Sequence, residues 1–260
     1  MSKQTSIQEA VGTIDNGALL ALGGNALHRS PIAFVFELIR QGKKDLSLIK
    51  TAGALDVDLL ALAKSIRSVH AGYIGFEMFG LAPNYRRGVQ KGEITVHEHA
   101  CASVIAALRA SIYGVPFQPI HGFQGSSLPE LTGLIKWITC PFTEKKTAVV
   151  EALRPDVAVI HTNIADEQGN AYIDGAVFED LIMAKAARRV IITAEKIIDS
   201  ATWTVQPQIP GFLVEQVVLA EKGAAPGSCA PLYSIDEKEI HRYLENPQAF
   251  LERKVAISHV

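Results

Sequence analysis

The sequence predicts an α/β fold in which an open, mainly parallel sheet is flanked by helices on both faces. Short apolar runs such as 18–22 and 157–161 have the length of buried strands and are too short for typical helices. Other stretches, for example 31–40 and 100–113, carry apolar residues at helical spacing. Strands that alternate with helices along a chain indicate parallel pairing through right-handed crossovers.

The same patterns place the individual elements. Ser30 is predicted to cap the helix at 31–40, with Pro31 at its first position, and Gly114 to end the helix at 100–113. In chain order we expect a short helix at 7–14, a strand at 18–22, a helix at 31–40, a strand at 46–50, a helix at 56–63, strands at 69–75 and 93–97, a helix at 100–113, an extended segment at 115–120, strands at 157–161 and 171–173, a helix at 179–188, strands at 189–193 and 212–219, and a helix at 236–253.

Composition excludes several classes of protein. The 260 residues are 48% hydrophobic and 20% charged with a formal net charge of −2, enough for a sizeable core and without a basic excess. We expect a single domain over 1–260, because no linker or repeat interrupts the pattern. No apolar leader or membrane-length run is evident, so we expect a cytoplasmic protein that binds neither membrane nor nucleic acid. Cys101, Cys140 and Cys229 are widely spaced, which argues against a disulfide framework or a structural zinc site.

The turn between the first apolar strand and the helix at 31–40 is the first candidate site. Gly23 and Gly24 end that strand, and glycines let backbone N–H groups approach a ligand closely at the carboxyl end of a strand. Adjacent glycines between a strand and a helix are also often just a tight turn. The pattern alone therefore leaves the role of this turn open.

The densest cluster of titratable groups is His97-Glu98-His99, at the junction between a strand and a helix. A carboxylate there can act as acid, base or nucleophile, and it can equally cap the helix that follows. The histidine spacing does not match a helical i, i+4 pair, so no metal site is predicted. Cys101 lies at the positive end of the same helix, where its pKa would fall, or it packs as a small hydrophobe.

A second glycine-rich loop contains Gly125, Ser126 and Ser127. Its hydroxyls can donate hydrogen bonds to a carboxylate or phosphate, although serines after glycine are also common in loops without a function. The sequence has no Gly-x-Gly-x-x-Gly after the first strand and no Gly-x-Ser-x-Gly. These absences argue against a dinucleotide-binding Rossmann site and against an α/β-hydrolase.

Several blocks, taken in order, resemble the A subunits of the family I coenzyme A transferases, most closely the alpha-subunit type of glutaconate CoA-transferase. The resemblance covers nearly the whole chain. It rests on Leu22-Gly-Gly before a proline-initiated helix, Ala54-Leu-Asp-Val-Asp-Leu-Leu, Phe79-Gly-Leu-Ala-Pro, Gly114-Val-Pro-Phe, Leu153-Arg-Pro-Asp-Val-Ala-Val-Ile, Ala165-Asp-Glu-Gln-Gly-Asn and Ile209-Pro-Gly-Phe-Leu-Val.

The resemblance implies a sheet like those of CoA transferases and sugar-phosphate isomerases, in a subunit that is incomplete alone. In that family a B subunit supplies a glutamate that attacks the acyl-CoA, and a glutamyl-CoA thioester passes CoA to an acceptor carboxylate. A heterodimer or heterotetramer with a B-type subunit is therefore expected. Coenzyme A would be a cosubstrate, with no permanently bound cofactor.

The resemblance also implies roles for the candidate residues. Glu98 would orient the acyl group or a water molecule. The expected substrate-binding residues are Gly23, Gly24, Asn25, His99, Cys101, Gly125, Ser126 and Ser127, with the two serines holding a distal carboxylate.

Two departures from the family pattern lie in the expected acyl pocket. In the first, at the start of the helix after Glu98, His99 replaces a common aromatic residue and Ala100-Cys101 replaces hydroxyl or amide residues. In the second, Asn25-Ala-Leu-His28 replaces the usual apolar continuation after the glycine pair. Related proteins act as a methylglutaconyl-CoA decarboxylase or as ring-opening acyl-CoA hydrolases, and in the hydrolases the glutamate of the A subunit that aligns with Glu98 is important. Both activities remain alternatives, and a non-catalytic sensor of small metabolites is a weaker one.

Overall fold

The computed structural model describes residues 2–256. The strands are β1 (Gln4–Thr5), β2 (Leu19–Leu22), β3 (Leu46–Gly53), β4 (Ile66–Ile74), β5 (Thr95–Glu98), β6 (Phe117–Ile120), β7 (Ile135–Thr139), β8 (Lys146–Glu151), β9 (Val157–Asp166), β10 (Ala171–Tyr172), β11 (Arg189–Ile198) and β12 (Gln216–Leu219). The helices are α1 (Ile7–Gly12), α2 (Ile32–Arg40), α3 (Leu55–Leu62), α4 (Pro83–Gln90), α5 (Cys101–Ile112), α6 (Leu128–Leu131), α7 (Asp180–Ala186), α8 (Glu237–Glu245) and α9 (Pro247–Ala256). None of these helices is long and apolar enough to cross a membrane.

The main sheet has nine strands in the order β1-β12-β11-β9-β2-β3-β4-β5, with β10 paired to β9. Every neighbouring pair along this path is parallel, and only β10 runs antiparallel to its partner. The predicted α/β class with a mainly parallel sheet is therefore confirmed. The order of the strands reverses between β2 and β9, which is where open parallel sheets commonly form a ligand crevice.

Both faces of the sheet are covered, which explains the continuous apolar runs in its central strands. All eight residues of β3 are buried. Leu48 faces a core built with α1, α2, α3, α8 and α9. Its neighbour Ile49 faces a second core built with α5 and α7. A strand buried on both faces loses the alternating pattern of a surface strand.

A second sheet is formed by the part of the chain between α5 and β9. It has three antiparallel strands in the order β6-β8-β7, and Ile135 and Ala148 of this sheet pack into the core that contains α5. Sequence analysis predicted only the extended segment at 115–120. The strands β7 and β8 were missed because three of the five residues of β7 and both end residues of β8 are exposed, which leaves little periodic apolar signal.

Several predicted elements differ from the observed ones. The strand predicted at 212–219 is limited to β12, because residues 211–213 form a short 3₁₀ helix. Helix α2 begins at Ile32 after Pro31, which makes no side-chain cap bond, and the Ser30 hydroxyl instead donates to the carbonyl of Ala26 at 3.1 Å. Helix α4 forms between the strands predicted at 69–75 and 93–97, where no element was predicted. The predicted helix at 236–253 is divided at Asn246, because Pro247 begins the second helix.

The block 165–170, which supported the family resemblance, forms a turn that braces the loop before β12. The Asp166 carboxylate accepts the N–H groups of Gln168 and Asn170, each at 2.9 Å. Asn170 in turn accepts the N–H of Gly211 at 2.8 Å. A Cβ at Gly211 would lie 2.6 Å from the carbonyl oxygen of Gln168, so the close approach requires glycine.

Candidate functional site

The carboxyl ends of β2, β3, β4 and β5 lie side by side, and Thr51 near the end of β3 links two of the predicted segments. The Asn25 amide donates to Thr51 Oγ1 at 3.4 Å. The Cys101 thiol donates to the backbone oxygen of Thr51, also at 3.4 Å. The turn after β2 and the start of α5 therefore meet at one residue. Sequence analysis did not select Thr51.

Glu98 is the last residue of β5, paired with Ala71 of β4, and its side chain is exposed. Among residues 2–256 no hydrogen bond or ion pair holds its carboxylate. Burial and then the negative charge of Glu98 raise the pKa of Tyr85 to about 12. Glu98 is thus a carboxylate at a strand end, next to a half-buried phenol and open to an incoming group.

Asp58 of α3 sets the position of Tyr85. Its buried carboxylate accepts the N–H groups of Asn84 and Tyr85, at 2.9 and 2.8 Å, at the start of α4. It also accepts a hydrogen bond of 2.5 Å from the hydroxyl of Tyr243 in α8. Burial raises the pKa of Asp58 above its ordinary value although these hydrogen bonds oppose the rise. The wall beside Glu98 is therefore anchored in the core.

His99 lies beneath the surface, between β5 and α5. Its Nδ1 is 3.0 Å from the hydroxyl of Ser103, and its Nε2 is 3.4 Å from Nδ1 of His70 in β4. Burial, with a smaller contribution from His97, lowers the pKa of His99 to about 4, and burial likewise lowers that of His70 to about 3. Both rings are neutral near pH 7 and support the start of α5.

Cys101 is the first residue of α5 and its side chain is exposed. Gly72 of β4 makes this placement possible, because a Cβ at that position would lie 2.5 Å from the backbone nitrogen of Cys101. The exposed thiol at the positive end of α5 thus lies directly beside the end of β4. This arrangement favours an anionic or carbonyl group near the thiol.

The Gly23-Gly24 turn differs from the expectation that its N–H groups face a ligand. Both glycines are buried. The Gly23 N–H donates to the carbonyl of Val159 at 2.8 Å, and the Gly24 N–H donates to the Asp180 carboxylate at 2.8 Å. A Cβ at Gly24 would lie 2.4 Å from the backbone of Arg29. The chain itself therefore satisfies the donors on which the ligand interpretation relied.

Two buried ion pairs fill the crevice where the strand order reverses. Arg29 lies 2.6 Å from the second carboxylate oxygen of Asp180 and donates to the carbonyl of His161 at 2.8 Å. Lys50 lies 2.9 Å from Asp56, with neither side chain exposed, and it donates to the carbonyl of Gly23 at 2.8 Å. Lys50 follows an apolar run in β3, and a lysine buried there requires an acidic partner, which is Asp56.

The loop with Gly125, Ser126 and Ser127 follows β6 of the small sheet, and all three residues are exposed. Gly125 adopts a φ of +78°. The Ser126 hydroxyl accepts the N–H of Leu128 at 3.2 Å. None of the hydrogen bonds described for residues 2–256 joins this loop to Glu98, Asn25 or Cys101.

Exposed apolar side chains follow the end of β4. Met78 is 86% exposed and Leu81 is 60% exposed, in a loop where Glu77 has a φ of +53°. The backbone N–H of Glu77 donates to the hydroxyl of Tyr73 at 3.2 Å. The loop after β4 therefore presents apolar surface next to the strand that carries Glu98.

Comparison with known proteins places these features in a family. Residues 4–220 match the family model described as coenzyme A transferase. The chain is 36% identical over 248 residues to a protein of Archaeoglobus fulgidus, covering 93% of this chain and 55% of that relative. It is 32% identical to the A subunit of the 3-oxoadipate CoA-transferase of Pseudomonas knackmussii, covering 97% of this chain and 87% of that protein.

Solved structures agree with these sequence matches. The chain aligns with a variant of the decarboxylase AibA/AibB at a TM-score of 0.91 and 34% identity, covering 98% of this chain and 100% of that one. It aligns with glutaconate coenzyme A-transferase from Acidaminococcus fermentans at a TM-score of 0.92 and 29% identity, covering 98% and 89% of the two chains.

Proposed function

Because the chain belongs to the coenzyme A transferase family, we propose that it is the A subunit of a glutaconate-type acyl-CoA:carboxylate CoA-transferase. The observation that carries the proposal is the exposed carboxylate of Glu98, which ends β5 without a hydrogen-bonding partner among residues 2–256. Thr51 joins Asn25 to Cys101 at the ends of neighbouring strands. Open parallel sheets bind ligands at this edge.

In this proposal the partner B subunit supplies the nucleophilic glutamate. Its carboxylate attacks the thioester carbonyl of the acyl-CoA, which gives a mixed anhydride and releases the CoA thiolate. The thiolate attacks the glutamyl carbonyl of the anhydride and frees the donor carboxylate, and the resulting glutamyl-CoA thioester passes CoA to an acceptor carboxylate by the reverse of these steps. Coenzyme A is a cosubstrate, and the reaction needs no permanently bound cofactor because the glutamate carries the thioester. A cytoplasmic location suits a reaction between acyl-CoA and free carboxylates.

This chain would shape the acyl side of the site. Glu98 orients the acyl group or a water molecule. Asn25 contacts the acyl chain from the turn after β2, and Cys101 contacts it from the start of α5. His99 supports the first turn of α5 from beneath. Gly23 and Gly24 hold the end of β2 in place, since their own N–H groups are engaged.

Gly125, Ser126 and Ser127 have a more distant role in the proposal. The exposed hydroxyls of Ser126 and Ser127 would donate hydrogen bonds to the second carboxylate of a bound dicarboxylic acyl group. Exposure leaves both hydroxyls accessible, and the left-handed backbone at Gly125 allows the loop to turn sharply.

The exposed apolar side chains of Met78 and Leu81 favour the presence of a partner subunit. Large exposed apolar patches commonly mark protein interfaces. A B-type subunit in a heterodimer or heterotetramer would cover this loop and close the site around Glu98.

A second candidate is the same heteromer acting as a methylglutaconyl-CoA-type decarboxylase or an acyl-CoA hydrolase. The alignment over the full length of a decarboxylase chain favours keeping it. Cys101 and His99, at the departures from the transferase pattern, would then shape a pocket that no longer admits an acceptor carboxylate.

The test is to co-express this chain with a candidate B subunit, then supply the complex with glutaconyl-CoA or methylglutaconyl-CoA, with and without acetate. Mass spectrometry identifies the products. Acetyl-CoA formed only with acetate supports transfer. Loss of carbon dioxide or release of free acid without acetate would instead establish the second candidate, and no turnover with any B subunit would contradict both.

A further inference from the structure

A second group of reactive side chains lies on the other half of the same sheet edge. His161 comes from β9, Glu195 from β11 and Cys229 from the segment before α8. One potential ligand atom of each lies within 4.8 Å of the others. His161 and Cys229 are fully buried, and the side chain of Glu195 is 8% exposed. Three distant segments thus bring a nitrogen, an oxygen and a sulfur donor together.

The surrounding structure orients the imidazole of His161. Its Nδ1 lies 2.9 Å from the hydroxyl of Thr193, and its Nε2 lies 2.8 Å from Glu195 Oε1. A Cβ at Gly223 would lie 2.6 Å from Cε1 of the ring, so a glycine there makes room for the imidazole. In metal-binding histidines one ring nitrogen is commonly hydrogen-bonded to an oxygen while the other faces the metal and its remaining ligands. His161 has this arrangement, with Nδ1 at Thr193 and Nε2 facing Glu195.

Glu195 is held as firmly as the histidine. Its Oε2 accepts the N–H of Lys222 at 2.6 Å, and its Oε1 accepts the N–H of Gly223 at 3.2 Å and the hydroxyl of Tyr233. Glu195 and Tyr233 also line a cavity of about 460 Å³ that opens to the surface. The cavity therefore reaches the cluster at Glu195, while His161 and Cys229 are buried and do not line it.

We propose that His161 Nε2, a Glu195 carboxylate oxygen and Cys229 Sγ bind a zinc ion, with a fourth position open toward the cavity. Zinc accepts nitrogen, oxygen and thiolate ligands in tetrahedral sites, and three protein ligands leave one position for water. The mixed donor set, with a thiolate, is less suited to magnesium or calcium.

Binding changes the protons and distances in a defined way. The cation replaces the proton of the Cys229 thiol, which is released to solvent. It also replaces the proton between His161 Nε2 and Glu195 Oε1, so the bound neutral ring carries its one proton on Nδ1, directed at Thr193. The separation between His161 Nε2 and Glu195 Oε1 must open from 2.8 Å to about 3.3 Å, the spacing of two ligands around one tetrahedral zinc.

The zinc would fasten the segment before α8 to the sheet. Ser228, next to Cys229, accepts the N–H of Arg29 at 2.7 Å through its carbonyl, and its own N–H donates to Leu27 at 2.9 Å. β11 lies five strand spacings from β5 and β9 lies four, which places the cluster roughly 19–24 Å across the sheet from Glu98. The inference therefore does not depend on the proposed function.

The first test is to strip the purified full chain with a chelator and titrate it with cobalt(II), which substitutes for zinc and reports thiolate ligation by a near-ultraviolet charge-transfer band. We expect about one cobalt per chain with this band. Cys229→Ser should abolish the band, and the matched control Cys140→Ser should keep it. Absence of the band in the parent chain, or its persistence in Cys229→Ser, would overturn the proposal.

Tm measurements with and without zinc distinguish loss of the metal site from misfolding of a variant. Zinc at about 100 times its dissociation constant should raise the Tm of the parent chain and of Cys140→Ser by about 5–10 °C. The conservative variant Glu195→Gln should fold, as judged by its circular dichroism, and lose most of this shift. A chain whose Tm does not respond to zinc would contradict the site even if cobalt bound weakly.

Discussion

The ends of β2 and β5 present the same edge of the sheet with opposite environments. At the end of β2 the backbone N–H groups of Gly23 and Gly24 are buried and already bonded within the chain. At the end of β5 the carboxylate of Glu98 is exposed. Both ends follow a strand and precede a helix, so both satisfied the sequence criteria for a ligand site.

The difference lies in what fills each crevice. Arg29 with Asp180 and Lys50 with Asp56 occupy the space beside β2, and these buried charges are partners for one another. Neutral histidines lie beneath β5 and leave the surface open. At the reversal of strand order, the chain's own side chains and backbone therefore occupy the N–H groups that a ligand would otherwise use.

The largest expected effect comes from removing a buried charge beside the end of β2. In Lys50→Met the side chain keeps its approximate volume, but Asp56 remains as a buried charge without its ammonium partner. We expect a loss of about 3–5 kcal/mol in the free energy of unfolding, measured by urea denaturation. Lys238→Met, at an exposed position of α8, should change it by less than about 0.5 kcal/mol. Equal effects in the two variants would show that the Lys50 pair is not structural.

The second prediction concerns the exposed carboxylate of Glu98 at the end of β5. Glu98→Gln removes a negative charge that no partner in residues 2–256 shares, so stability should change little while kcat of the assembled complex falls about 100- to 1000-fold. Activity assays and thermal melts on the same preparations measure both. Glu93→Gln, an exposed glutamate just before β5, is the matched control and should retain activity. Full activity in Glu98→Gln would remove Glu98 from the proposed mechanism.

The smallest effect concerns the support under the open end. Burial lowers the pKa of His70 to about 3 and of His99 to about 4, below the ordinary histidine value. Between pH 6.5 and 4 the unfolded chain therefore binds more protons, and stability falls as the pH falls through this window. Each histidine contributes a slope of up to about 1.4 kcal/mol per pH unit.

Urea denaturation at several pH values measures this slope. His99→Asn should flatten it by about one proton while leaving a folded chain near pH 7.5. An unchanged slope in that variant would mean that His99 does not contribute to the acid sensitivity.

Elements with strong periodic patterns could be predicted from the sequence, and elements stabilised by polar side chains could not. The alternation around β2, β3 and α2 was sufficient for the α/β class. Strand β9 continues to Asp166, beyond the predicted end at His161, because the polar residues that follow are buried with partners. The Asn163 amide, for example, donates to the carbonyl of Ala230 at 2.8 Å. The small sheet was missed since its strands are half-exposed and lack an apolar period.

The candidate site could be predicted only in part for a similar reason. The strand–helix junction at Glu98 was identified from residue types and position. Thr51 carried no signal, because its role depends on the lateral neighbours of β3. The cluster of His161, Glu195 and Cys229 was missed since its members come from three segments, and the sequence criteria considered only closely spaced ligands.

The short strand β1 has a consequence for the order of folding during synthesis. Its residues Gln4 and Thr5 pair with Val217 and Val218 of β12. At about 5–20 residues per second, the ribosome needs roughly 10–40 s to make the chain between these partners. During that time β1 has no strand to pair with, while β2, β3 and β4 can already assemble. The outer edge of the sheet is thus completed last, by a segment that is made first.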